Sequence, residues 1–336
     1  FWTTKAARHP RKGLDDSMNP KPMTRPANAG AAARGGRLRS DLRRNYSLYL
    51  MVLPVLAFYL YFCYKPMYGI LIAFQDFNFK EGISGSTWVG LKNFERFFSD
   101  PYFNRNIINT VVISAASIIF GFPAPILFAL LMNEIEKKWF LKTVQTITYL
   151  PYFISLVVIC SMVKNFVAPD GLINGLVAAL SGSAPGESLL DKPQLFTAIY
   201  VLSDIWQNVG WGSIIYLATL AGVDAELYEA ATIDGAGRLK QTIHVTIPSI
   251  MPTIVILFIL RLGGILNVGY EKIMLLTNAY NAETSEVLSY YVYKKGIMGT
   301  EYGLSTAAGV FNSVINFVFL IATNALSRKL NETSLW

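Results

Sequence analysis

The chain is 336 residues long, 53% hydrophobic and only 15% charged, with a formal net charge of +7. Soluble domains carry about a quarter charged residues, so this balance excludes an ordinary soluble globule. The apolar residues fall in long blocks, each able to cross a hydrocarbon core of roughly 30 Å as about 20 helical residues. The alternating segments of about ten residues that build a membrane barrel are absent. Cys63 and Cys160 both sit in apolar blocks, which implies neither a disulfide framework nor a metal cluster.

Residues 1–44 are polar, rich in Pro, Gly and Ala, and strongly basic from Lys5 to Arg44, with only Asp15, Asp16 and Asp41 in opposition. Followed at once by an apolar block, this stretch reads as a disordered cytoplasmic tail rather than a nucleic-acid arm. It lacks the pattern of a cleavable signal peptide. The chain opens on Phe1, and Met18 and Met23 are alternative starts.

Six spans are predicted, at about Ser47–Tyr64 (ending at Pro66), Ile107–Met132, Val144–Val167, Leu195–Leu220, Ser249–Leu276 and Leu304–Leu326. Lys137, Lys138 and Lys142 follow the second span, Arg238 and Lys240 the fourth, and Arg328 and Lys329 the sixth. The other side is nearly balanced, with Asp170, Glu187, Asp191 and Lys192 in one loop. The excess of Lys and Arg places both termini in the cytoplasm. Residues 67–103 hold many aromatics, among them Phe74, Trp88 and Phe97, and read as a folded surface element. Ser181–Glu187 reads as a loop tip, and residues 331–336 as a short C-terminal tail.

Between the fourth and fifth spans, residues 224–248 carry Glu229-Ala230-Ala231, Asp234-Gly235 and then Val245-Thr246-Ile247-Pro248. Asp224 is a good N-cap for a short helix through Ala231. Gly235 suits a left-handed helix end, and Pro248 suits the start of the next span. A second short helix is expected over about Arg238–Ile247. The result is a helix–turn–helix on the cytoplasmic face, whose small alanines permit close approach by another protein.

This spacing resembles the EAA loop of ABC importer permeases. Glu229, Ala230, Ala231, Gly235 and Pro248 match that motif, with Val245 and Ile247 as conservative replacements. The resemblance implies an all-α, six-span permease fold in the bacterial inner membrane, with residues 45–330 as the permease domain. It also implies that this loop is a coupling helix docking on a separate ATPase subunit. Tyr49-Leu50 with Leu53-Pro54, Tyr68-Gly69 and Phe74-Gln75-Asp76-Phe77 are similar to the sugar-permease subfamily, which pairs two unlike subunits. Asn267-Val268-Gly269-Tyr270-Glu271-Lys272, Glu283-Thr284 and Val292-Tyr293 resemble its complex-polysaccharide branch, some members of which carry acidic fragments.

The partners so implied are a second homologous permease, two ATP-binding subunits, an external solute-binding protein, membrane lipid and an oligosaccharide, with no nucleic acid. No Gly-x-x-x-x-Gly-Lys-Ser/Thr loop occurs, so ATP and Mg are expected on the partner subunits, with no cofactor in this chain and no enzymatic site of its own.

Polar groups inside spans are costly and therefore candidates for the substrate path. Arg261 lies about twelve residues into the fifth span, roughly mid-membrane at ~1.5 Å per residue. It suits a sugar carboxylate or hydroxyl, or else a structural contact. Asp204, Trp206, Gln207, Asn208 and Trp211 in the fourth span combine flat aromatic faces with hydrogen-bonding groups, the chemistry of sugar recognition. The tryptophans equally suit packing between helices. Asp204 and Lys164 are expected at similar depth, as an ion pair or as ligand contacts. Asn267, Tyr270 and Glu271 complete the lining, while Asn312 and Asn316 read as helix stitching. His244 reads as a surface or docking residue, and neither it nor His9 suggests metal or catalysis.

An acidic oligosaccharide fits Arg261, Lys164 and Lys272, with a neutral sugar or other small solute as the alternative. Two further rivals are an ion-coupled secondary transporter, expected to show broken helices and no coupling motif, and a membrane enzyme, for which no convergent catalytic set is visible.

Overall fold

In the computed structural model, residues 44–181 and 186–331 are described. The expected basic tail over residues 1–43, most of the loop tip at 181–187, and the C-terminal residues 332–336 lie outside them. The chain divides into two units, Phe1–Met67 and Tyr68–Trp336.

In the first unit, α1 (Tyr46–Phe58) opens into a wide π-turn at Tyr59–Tyr64, and the helical stretch runs past the unit's end at Met67 to Phe74. The span therefore overruns its expected end at Pro66. The reason is local, because Lys65 N–H donates to the Leu60 carbonyl five residues back. The widened turn precedes a proline, whose ring in a regular helix collides with the carbonyl four residues back.

The same device recurs twice in the second unit. Span two is α3 (Phe103–Ala116) and α4 (Pro123–Asn133), joined by a π-turn in which Phe122 N–H donates to the Ser117 carbonyl at 3.1 Å, just before Pro123. Ahead of Pro248, Ile247 N–H donates to the Thr242 carbonyl.

The stretch between spans one and two is folded, as its aromatics predict. Short strands β1 (Gln75–Asp76) and β2 (Thr87–Trp88) pair antiparallel with Gln75 opposite Trp88. Phe74 stacks on Trp88 at 5.5 Å. The Asn93 amide donates to the Ala73 and Gln75 carbonyls at 3.0 and 2.9 Å, and α2 (Lys92–Phe98) buries Phe97.

Among the described residues, five helical stretches are long and apolar enough to cross a membrane: Tyr46–Phe74, Phe103–Asn133, Leu156–Leu180, Arg238–Leu262 and Tyr302–Lys329. The expected fourth span is a helix of 25 residues, α8 (Phe196–Leu220). Asp204, Gln207 and Asn208 lower its apolar content below that of the other five.

Two spans differ from their predicted form. The third is bent: α5 (Lys138–Tyr149) gives way at Leu150–Phe153, and α6 (Leu156–Val167) restarts behind a Ser155 cap. Pro151 starts the tight turn at the bend. The fifth, expected to be continuous to Leu276, stops at Leu262 (α11, Ile247–Leu262) and resumes as α12 (Tyr270–Leu276). Gly263 and Gly264 make the stop cheap. The freed backbone groups are met by side chains, as burial in a membrane requires. Asn316 Oδ1 accepts from Leu266 N–H at 3.0 Å, and Ser289 Oγ donates to the Val268 carbonyl at 2.5 Å.

The principal core joins spans two, three and four to α12 through Ile113, Ile159, Phe196 and Ile273. Gly210 brings α5 against span four, since a Cβ there would stand 2.2 Å from the Thr148 carbonyl oxygen. After α12 the chain runs through α13 (Leu288–Tyr293) into α14 (Tyr302–Asn331), the sixth span.

Candidate functional site

A cavity of about 720 Å³ lies among spans two, four and five. Span four contributes Asp204, Gln207 and Asn208. Their spacing of three and four residues puts them on one helix face. The break in span five supplies Asn267 and Val268 and leads into Tyr270, Glu271 and Lys272, while Arg261 projects from the last turn before it. Ser114 and Ser117 reach in from span two beside the π-turn, and Ile118, Phe122 and Leu257 form apolar wall.

The cations differ in their tethering. The Lys272 side chain is 5% exposed; its Nζ donates to the Tyr200 carbonyl at 3.1 Å, lies 3.5 Å from Asp204 Oδ1, and sits 4.7 Å from the Tyr200 ring centroid. The Asn208 amide donates to the same carboxylate oxygen at 3.1 Å. The Arg261 guanidinium, by contrast, makes no hydrogen bond or ion pair among the described residues, and neither does Glu271. The wall thus offers one tethered ion pair and two uncommitted charges of opposite sign. With the amides of Gln207 and Asn208, it presents donors and acceptors to a polyhydroxylated ligand and a planar fork to a carboxylate.

Of the expected substrate-path residues, Arg261, Asp204, Gln207, Asn208, Asn267, Tyr270 and Glu271 line this cavity. Trp206, Trp211 and Lys164 do not. Trp206 stands two residues from Asp204, about 200° around the helix. Trp211 stacks on Tyr152 of the Leu150–Phe153 turn with ring centroids 4.5 Å apart and planes 6° from parallel, on an exposed face away from the cavity. The Asp204 partner is Lys272 rather than Lys164, because the break in span five carries Lys272 onto the Tyr200 carbonyl while Lys164 faces outward.

Asn312 and Asn316 stitch spans five and six, each donating to Asn267 Oδ1 at 3.0 Å. Tyr200 and the two serines escaped sequence reasoning. Tyr200 carried a faint signal, as a tyrosine one turn before a charged residue in an apolar span.

The segment at 224–248 has the local structure its residues predict. The Asp224 carboxylate accepts from Glu226 N–H at 3.0 Å and opens α9 (Ala225–Ile233). Gly235 has φ +76°, and the Ala236 and Gly235 amides return to the Ala231 and Thr232 carbonyls at 2.9 and 3.0 Å, closing a Schellman end. Glu229, Ala230, Asp234 and Pro248 are exposed, and Ala231 is half-buried.

The second short helix does not stop at Ile247. It runs through α10 (Arg238–Gln241) and the π-turn straight into span five. Tyr228 and Thr246 hydroxyls meet at 3.0 Å, and the Gln241 amide donates to Thr232 and to the Ala236 carbonyl. Arg238 pairs with Glu136 at 2.7 Å in the loop after span two. His244 is exposed, one turn from the Lys240 carbonyl at 3.0 Å. Movement of this unit would pass directly into span five and toward its cavity-lining break. A broken span is an expected mark of a secondary transporter; here it coexists with the helix–turn–helix at 224–248, so it does not separate the two readings.

Residues 121–332 match the family described as binding-protein-dependent transport system inner membrane component. The chain is 39% identical to Protein LplB of Bacillus subtilis (strain 168) over 320 residues, covering 95% of this chain and 100% of that one. It is 42% identical over 301 residues to the polygalacturonan/rhamnogalacturonan transport system permease protein YteP of the same organism, covering 89% and 93%. A crystal structure of a bacterial ABC transporter involved in the import of the acidic polysaccharide alginate superposes with a TM-score of 0.80 at 40% identity, covering 88% of this chain and 99% of that one. The bacterial alginate ABC transporter in complex with alginate pentasaccharide-bound periplasmic protein gives a TM-score of 0.81 at 40% identity, covering 89% and 100%.

Proposed function

This chain belongs to the inner membrane components of binding-protein-dependent transport systems, and from that premise we propose that its cargo is an oligosaccharide bearing uronic-acid carboxylates. The observation that carries this reading is Arg261, an untethered guanidinium on the wall of a polar cavity. A guanidinium binds a carboxylate through two parallel hydrogen bonds, a geometry that hydroxyls alone do not repay. Glu271 and the amides of Gln207 and Asn208 serve the hydroxyls of the same ligand. The cavity falls within the roughly 300–1,000 Å³ typical of ligand pockets. Relatives whose names specify polygalacturonan, rhamnogalacturonan and alginate support the acidic class.

In this reading, an external binding protein delivers the sugar to a pair of permease subunits, of which this chain is one. ATP and Mg are held and hydrolysed by two separate subunits. The segment at 224–248 docks on one of them from the cytoplasm, where both termini of this chain lie. Nucleotide-driven closure pulls on α9 and α10, and the continuous helix into span five carries that pull to the break and so to the cavity. The two states of alternating access differ in which side that cavity faces.

The test is ATPase activity and sugar uptake by the assembled complex in lipid, with the binding protein loaded with uronic-acid or neutral oligosaccharides. Stimulation by the uronic-acid class is expected, and Arg261→Gln is expected to cut uronate uptake about tenfold, the scale of one lost charged hydrogen-bonded pair. Equal stimulation by neutral sugars, with Arg261→Gln affecting both alike, would overturn the acidic cargo and favour the neutral one.

A further inference from the structure

A second pocket, of about 380 Å³, opens at the start of span two and is lined by Tyr102, Arg105, Glu286, Tyr291, Lys294 and Lys295. It is at the end of the bundle away from the coupling segment, because Glu136, beyond the other end of span two, is the residue that pairs with Arg238. Its lining holds three cations and one carboxylate.

The carboxylates around it fix the cations in place. Glu286 is held by Arg105 and, at 2.5 Å, by Lys294; Lys295 lies 3.4 Å from Glu301 and 3.8 Å from Asp100. The Tyr291 hydroxyl donates to Asp100 at 2.8 Å, and burial with that acceptor pushes the Tyr291 phenol well above its ordinary range, keeping it a donor. These anchors leave donors to spare. An ammonium has three N–H groups and a guanidinium five. Arg105 Nε is buried and unpaired among the described residues, so the donors a ligand reaches are those of Lys294 and Lys295, whose side chains remain 45% and 34% exposed.

Aromatic rings connect this pocket to the central cavity. Arg105 lies over Tyr102 at 4.6 Å and Lys294 over Tyr290 at 5.4 Å. The Tyr290 ring is nearly parallel to Tyr293, 13° and 6.4 Å away, and Tyr293 stacks on Tyr270 at 5.0 Å. Tyr270 is itself a wall of the central cavity. Cations alternating with flat rings suit a chain of sugar rings that carries carboxylates, since C–H faces rest on aromatics while the charge meets Lys or Arg.

We propose that this outer pocket is an entry subsite for a uronate residue of the incoming chain, and that Tyr290, Tyr293 and Tyr270 form the track from it to the central cavity. The inference rests on the acidic-cargo reading above. An acidic face of a docked protein partner would meet the same cations, but it would have no use for rings that run inward to the cavity.

The test is saturation-transfer NMR of trigalacturonate on the full permease–ATPase complex in nanodiscs, without binding protein. With two subsites, Lys294→Gln/Lys295→Gln is expected to remove about half of the signal, and Arg261→Gln the remainder. Lys294→Arg/Lys295→Arg, which keeps the charge, is expected to restore the first half. If the glutamine pair binds trigalacturonate like wild type, the entry subsite is wrong while the acidic cargo stands. If no uronate binds and maltotriose does, the acidic cargo falls first.

Discussion

In the segment between spans four and five, leaving Arg238 aside, the ties run between near neighbours: Asp224 to Glu226, Gln241 to Thr232, and at the widest Tyr228 to Thr246, 18 residues apart. The wall of the central cavity is tied across the chain. Lys272 reaches Tyr200 over 72 residues, Asn316 reaches Leu266 over 50, and Asn312 reaches Asn267 over 45. The first region is an exposed unit that folds on its own local rules and, in the function proposed above, acts by being touched. The second exists only when three spans are already in place, and it acts by enclosing. A lesion in the first should therefore uncouple the machine without unfolding it, whereas a lesion in the second should damage both.

The largest effect should come from Lys272→Met. It leaves Asp204 without its cation and takes one donor from the Tyr200 carbonyl, which keeps the Ser203 hydroxyl, at a cost of about 3 kcal/mol, the low end for a buried pair because Asp204 keeps some solvent contact. A clear loss of thermal stability of the complex is expected, with much of it regained in Lys272→Met/Asp204→Asn. An unchanged melting temperature in the single variant would show that the cavity wall does not depend on its long-range ties.

A smaller effect is expected from Gly235→Ala. No atom lies within 4 Å of the added Cβ, so the cost is backbone strain at φ +76°, about 1–2 kcal/mol. Sugar-stimulated ATPase should fall while melting of the complex is retained, and Gly235→Asn should keep most of the coupling, because asparagine tolerates that conformation. Equal losses of coupling and melting temperature would erase the contrast between the two regions.

The smallest effect should come from Arg238→Gln, because it and its partners Glu134 and Glu136 are all exposed. Melting temperature and coupling should match wild type within error. A large loss of coupling would mean that the loop after span two is part of the moving unit.

The local and the long-range parts were also unequally legible. The Asp224 cap, the left-handed Gly235 and the apolar blocks are written in neighbouring residues, and reading them needs no knowledge of the rest of the chain. The break in span five was missed because hydropathy averages over it. Gly263-Gly264 is tolerable within a membrane helix, and what opens it is an amide from Asn316, 50 residues on. The Asp204–Lys164 pairing failed for the same reason, since depth along a helix says nothing about which neighbour the break delivers. Trp206 and Trp211 shared a sequence cluster with the cavity groups but not their surroundings. One lies around the helix from Asp204, and the other is claimed by Tyr152.

The three widened turns before Pro66, Pro123 and Pro248 have a consequence for how faces are counted along these helices. A turn closed five residues back holds one residue more than a regular turn, and each residue is worth about 100°. Span two nevertheless keeps Ser114, Ser117, Ile118, Gly121, Phe122 and Pro125 on the cavity, so its lining passes through the widened turn without changing sides. The same phase step separates the Arg238–Gln241 helix from the Ile247–Leu262 helix. Substitutions scanned from Arg238 to Leu262 will repeat with period 3.6 on each side of Pro248, but as two series that must be fitted apart.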